Sequence, residues 1–82
     1  MATNTALLKS KMILHNDTMI TLADYLGINR QNTSVKVNGK REFKQSEIAK
    51  IIRRYKLSDR EFRAIFIDGY DFEKFDKEVH YA

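Results

Sequence analysis

Gly27, Gly39 and Gly69 are the only residues of strong chain-breaking character in 82, and proline is absent. A chain so rarely interrupted has few places to reverse, and the three glycines punctuate it. No internal repeat or low-complexity stretch appears. Eighty-two residues with 43% apolar side chains describe one small domain with a modest core, too short for a multidomain enzyme. Cysteine is also absent, so neither a disulfide framework nor a thiolate metal site can staple the fold, and a reducing, cytoplasmic setting is expected. The start of the chain has no basic segment followed by a long apolar run, and apolar residues never run together over the ~18 positions a membrane span needs. The protein is therefore expected to be neither exported nor membrane-spanning.

Between the glycines, apolar residues recur at helical spacing. Leu7, Leu8, Met12 and Leu14, with Asn4 or Thr5 as N-cap, predict a first helix reaching about His15, which Asn16 and Asp17 break. Thr18 can cap a second helix, Met19 to Leu26, with Leu22, Ala23 and Leu26 on one face and Gly27 at the position that favours a positive φ. Asn29 then caps a third, Arg30 to Val37, ending at Asn38-Gly39. This third helix is unusually polar. Its core candidates are Thr33 and Val37, with Ile28 ahead of it, which leaves Arg30, Gln31, Asn32, Ser34, Val35 and Lys36 facing water or a partner. Ile48, Ile51, Ile52 and Tyr55 predict a fourth helix from about Gln45 to Tyr55, with Phe43 packing at its entrance. Ser58 and Glu61 form a capping box ahead of Phe62, Ile65 and Phe66, the best-signalled element of the chain. The expected fold is thus all-α, a compact five-helix domain over residues 1–67 followed by a tail over 68–82.

Charge divides along the same boundary. Residues 1–67 hold thirteen Lys or Arg against six Asp or Glu, a surplus of seven, whereas residues 68–82 hold two against five, a deficit of three. A basic body suggests a polyanionic partner. The acidic tail also carries Tyr70, Phe72, Phe75 and Tyr81, too many aromatics for a purely solvated segment; it is expected to pack on its own body or on a second subunit. Strand-like alternation of Tyr70 and Phe72 competes there with the helical spacing of Phe72, Phe75 and Val79, and both conformations stay open.

A short helix, a tight break at Gly27 and a second, polar helix make a helix-turn-helix. The segment TMITLADYLGINRQNTSVKVNGK resembles the helix-turn-helix of lambda-type phage repressors and Cro proteins, the XRE family, through Leu22-Ala23, Gly27, ten intervening residues and Asn38-Gly39-Lys40. EFKQSEIAKIIRRYKLSDREFRAIF is similar to the last two helices of small phage members, so the resemblance spans roughly residues 5–67. Small Ala23 suits a close helix approach, Gly27 a sharp turn, and Thr33 with Val37 an anchor that projects the opposite face. The resemblance implies a lambda-repressor-like fold with the third helix in the DNA major groove. Arg30, Gln31, Ser34 and Val35 match base-reading positions, with Asn32 beside them. Arg suits guanine, Gln or Asn adenine, and Val the thymine methyl. Thr18, Lys36, Asn38, Lys40, Arg41 and Lys44 match or flank positions that contact the DNA backbone. Two positions depart from the pattern: Met19 stands where a phosphate-reaching Gln is common, and Lys44 replaces a capping Thr, so the capping box with Glu47 is expected to be lost.

The function implied is a sequence-specific transcriptional regulator, repressor or Cro-like, from a phage or prophage. It would occupy a double-stranded DNA operator as a homodimer built through helix five and the tail, in the bacterial cytoplasm at the nucleoid. The competing reading is a protein-interaction module, such as an antirepressor, that reuses the fold and whose acidic tail mimics DNA or docks on a basic partner. RNA binding is disfavoured because the basic face lacks aromatics for stacking bases. Lys50, Arg53, Arg54 and Lys56, like Arg60 and Arg63, read as a solvated face. His15 and His80 lie far apart, and no His and carboxylate cluster has metal-ligand spacing; Asp68, Asp71, Glu73, Asp76 and Glu78 lack the regular spacing of an EF-hand. No nucleophile with a base, phosphate loop or paired carboxylates can be argued, so no catalytic residue, cofactor or small-molecule substrate is expected.

Overall fold

The computed structural model describes residues 3–68, in which there are five helices and no strand. The helices are α1 (Thr5–Leu14), α2 (Met19–Leu26), α3 (Arg30–Val37), α4 (Gln45–Tyr55) and α5 (Asp59–Phe62), the last continuing without a break into a wider turn over Arg63–Ile67. In that turn the Asp68 N–H donates to the Arg63 carbonyl five residues back (2.7 Å). The expected all-α class and helix order hold. Residues 69–82 lie outside the described part, and with them the expectations for the tail's packing and its share of a dimer interface.

Side chains at the element boundaries explain why each helix starts where it does. Asn4 accepts from the Leu7 N–H (3.1 Å), Asn29 from Asn32 (2.7 Å) and Ser58 from Glu61 (3.1 Å), each satisfying a donor the helix itself cannot. At α4 the Lys44 side chain makes no cap, yet the expected loss of the box is only half true: Glu47 Oε1 still accepts from the Lys44 N–H at 2.8 Å. A carboxylate three residues in can serve the N-cap amide whatever side chain stands there.

Leu8, Leu22, Val37, Ile51 and Ile65 are fully enclosed, one from each helix or its continuation, and Phe43 meets Phe66 edge to face with ring centroids 5.9 Å apart. Two long-range bonds fasten α1: the Asn4 N–H donates to the Ile65 carbonyl (2.6 Å), and the Thr5 hydroxyl to the Val37 carbonyl at the end of α3 (2.7 Å). Leu14, expected on the apolar stripe of the first helix, is exposed. Six residues of helix carry it about 120° around the axis from Leu8, so the buried stripe is Leu8 and Met12 alone.

Candidate nucleic-acid interface

The polar helix α3 is held by the two turns that flank it. Gly27 ends α2 at φ 77°, its N–H donating to the Ala23 carbonyl (2.9 Å). Nothing lies within 4 Å of where its Cβ would stand, so glycine is needed there for its backbone angle and not for space. After α3 the Lys40 N–H returns to the Val35 carbonyl (2.9 Å), with Gly39 at φ 78°. α2 packs along α3, and Thr33 and Val37, both fully enclosed, turn one side of α3 into the core. The Thr33 hydroxyl is satisfied by the Asn29 carbonyl (3.0 Å), which lets a polar side chain sit there at little cost.

That leaves Arg30 and Gln31 exposed and Asn32, Ser34 and Val35 half-exposed, while Thr18, Asn38, Lys40, Arg41 and Lys44 are exposed on the flanking segments. Asn38 Nδ2 donates to the Ser34 hydroxyl (3.3 Å). Lys36 does not belong to the phosphate-facing set in which its residue type placed it. It is buried, with its ammonium donating to both oxygens of Glu47 at 2.8 and 2.9 Å, and so is unavailable to a phosphate. Position 36 lies three residues after Thr33 and beside Val37, on the inward stripe; residue type pointed outward, and helical spacing was the signal that pointed in. Burial pushes the Glu47 carboxyl up, but the Lys36 ammonium and the Lys44 N–H outweigh it and hold it below the ordinary range. One carboxylate thereby ties the C-terminal turn of α3 to the start of α4 and to the loop bearing Lys40, Arg41 and Lys44.

The start of α2 is fixed by a second polar cluster, of which the sequence showed only the Thr18 cap. Thr18 and Thr21 cap each other, the Thr21 N–H donating to the Thr18 hydroxyl (3.2 Å) and the Thr18 N–H to the Thr21 hydroxyl (2.8 Å). Thr21 also donates to the Asp17 carboxylate. Asp17 in turn accepts from Arg54 Nε (2.6 Å), Arg54 Nη2 (2.7 Å) and the Tyr55 hydroxyl (2.5 Å), and the Arg54 guanidinium lies 4.6 Å from the centre of the Tyr25 ring. The Arg54 hydrogen bonds hold the Asp17 carboxyl far below the ordinary range, and burial pushes the Tyr55 phenol well above its own. Arg54, read as part of a solvated basic face, is instead the clamp that docks α4 on the α1–α2 junction. Lys50 is also engaged, its ammonium capping the Leu26 carbonyl at the end of α2 (3.3 Å), whereas Arg53 and Lys56 are exposed. Met19, at the position where the family often places a phosphate-reaching Gln, packs against the core.

Among the described residues no group of three His, Asp or Glu could hold a metal, no buried side-chain polar atom lacks a partner, and no helix is long and apolar enough to cross a membrane. Comparison of the chain with protein-family models, with curated proteins and with solved structures finds no match.

Proposed function

We propose that the protein is a sequence-specific DNA-binding transcriptional regulator of the lambda-repressor and Cro type, acting as a homodimer that occupies an operator and blocks polymerase. The observation that carries this reading is the division of α3. Thr33, Lys36 and Val37 are buried and fix the helix, while Arg30, Gln31, Asn32, Ser34 and Val35 keep donors, acceptors and one methyl-bearing face accessible. That is a side-chain set able to read base edges, on a rigid helix of 8 residues. Thr18, Asn38, Lys40, Arg41 and Lys44 supply hydroxyl, amide and cationic groups suited to phosphates. A helix this short buries too little surface to discriminate alone, so two copies on a near-palindromic site, half-sites about 10 bp or a multiple apart, are part of the proposal. α5 is assigned to the contact between them.

The test is selection of bound sequences from a random duplex library, with competitor DNA, at two salt concentrations. A palindromic motif whose affinity falls with salt supports the reading, because phosphate contacts release counterions. A single enriched half-site removes the dimer. Absence of binding at both salts overturns DNA recognition and favours a protein partner. Arg30→Ala with Gln31→Ala, both exposed, should lower affinity for the selected motif by ten-fold or more and relax its sequence, and unchanged selectivity would take base reading away from α3.

A further inference from the structure

A groove of about 480 Å³ opens between α4 and α5, floored by Phe43 and Phe66 and walled by Ile48, Ile52, Phe62 and Ile67. All four wall residues are only half-buried. They contribute an apolar surface that the described body does not cover. The chain itself runs past the opening, since Ile67 is a wall residue and Asp68 is the last residue described.

We propose that the groove is the docking site of this chain's own C-terminal segment, residues 69–82 of the same protomer. Three observations commit the groove to that occupant. Reach is ample: fourteen further residues extend up to about 46 Å, against about 16 Å for the whole length of α4. The side chains match, because Tyr70, Phe72, Phe75, Val79 and Tyr81 are large and apolar, and the segment begins with Gly69, which allows the reversal needed to return over α4. Charge also matches. The segment carries Asp71, Glu73, Asp76 and Glu78 against two lysines, and the exposed cations Arg53 and Arg63 each lie four residues from a groove residue, Ala49 and Ile67, with exposed Lys56 just past the end of α4. A tethered segment meets its own groove at millimolar effective concentration, which favours it over a second copy at ordinary protein concentrations. A second flank, between α1 and α5 with its continuation and lined by Leu7, Arg60 and Ala64, stays free when the tail is bound in cis and leaves a surface for a partner. Docking of the segment does not depend on DNA binding.

The chain's lack of native cysteine gives a clean test in the full-length protein. Ala49 is exposed at the edge of the groove, and Lys9 is exposed on α1, away from it. Ala49→Cys/Phe75→Cys and, as the control, Lys9→Cys/Phe75→Cys are oxidised with copper phenanthroline at micromolar protein and resolved without reductant. The expected result is a disulfide-closed monomer that forms at least ten-fold faster for the Ala49 pair than for the Lys9 pair. Equal rates, or products that are predominantly covalent dimers, overturn the assignment, the latter giving the groove to a second copy. A second measurement needs no cysteine: Phe72→Ser/Phe75→Ser in the full chain should raise the fluorescence of a bound apolar dye several-fold at unchanged far-ultraviolet circular dichroism, and added 69–82 peptide should reverse the rise. No rise, with the helical signal retained, also overturns it.

Discussion

Replacing Asp17 by Asn removes the one negative charge that joins the α1–α2 junction to α4. The carboxylate is 3% exposed and accepts two hydrogen bonds from a guanidinium that is itself 28% exposed. A hydrogen bond to a charged group contributes about 1.5–3 kcal/mol, and breaking a fully buried ion pair costs about 3–5 kcal/mol. Arg54 can regain some water and Asn keeps one oxygen for it, so the loss belongs near the low end, about 2–3 kcal/mol. For a domain this size that lowers Tm by about 10–20 °C. Urea titrations at pH 7 should show a lower midpoint at unchanged m, because no helix is lost in the native state. The pH dependence gives the sharper check. The folded Asp17 carboxyl lies below its unfolded value, so its contribution is full above about pH 4 and is lost as pH falls toward the folded value. The gap between wild type and Asp17→Asn must then narrow below about pH 4, at up to about 1.4 kcal/mol per pH unit. A loss under about 0.5 kcal/mol at pH 7, or a gap that stays constant from pH 7 to pH 2, would refute the assignment of Asp17 as the clamp.

Lys36→Met should destabilise by about 3 kcal/mol, since it strands the Glu47 carboxylate in the interior, yet leave the salt dependence of DNA binding unchanged when measured well below its Tm. Lys40→Ala or Lys44→Ala should do the opposite, lowering the slope of log affinity against log salt by about 0.9 for each phosphate contact removed with little change in stability. Gly27→Ala should cost about 1 kcal/mol through its backbone angle alone, and Lys56→Gly, at φ 52°, should gain up to about 1 kcal/mol, both read from thermal melts. The Glu61 carboxyl, held down by the Lys11 ammonium and the Ser58 N–H, should titrate near pH 2 by NMR, its contribution lasting above the ordinary carboxylate range and fading as pH falls toward 2; Lys11→Met should return much of that shift.

Local chemistry made the helix starts legible: Asn4, Thr18, Asn29 and Ser58 each announce a cap through residue type alone, and each side chain accepts from the amide three residues on. Gly27 was legible for the same reason, because a positive φ is a property of one residue. Lys36 and Arg54 were not, because a charged side chain at helical spacing is ambiguous until its partner is known, and their partners, Glu47 and Asp17, lie 11 and 37 residues away. In Arg54 the ambiguity was compounded by Arg53 beside it, which is exposed, so that two adjacent arginines of one basic run serve opposite ends. Removing Lys36 from the surface set subtracts one cation from the phosphate contacts, but it places that cation where it couples α3 to the loop carrying Lys40, Arg41 and Lys44 through a single carboxylate. The base-reading and phosphate-facing parts of the proposed interface therefore share one buried support, and a perturbation at Glu47 should disturb both together whereas one at Lys44 should disturb the second alone.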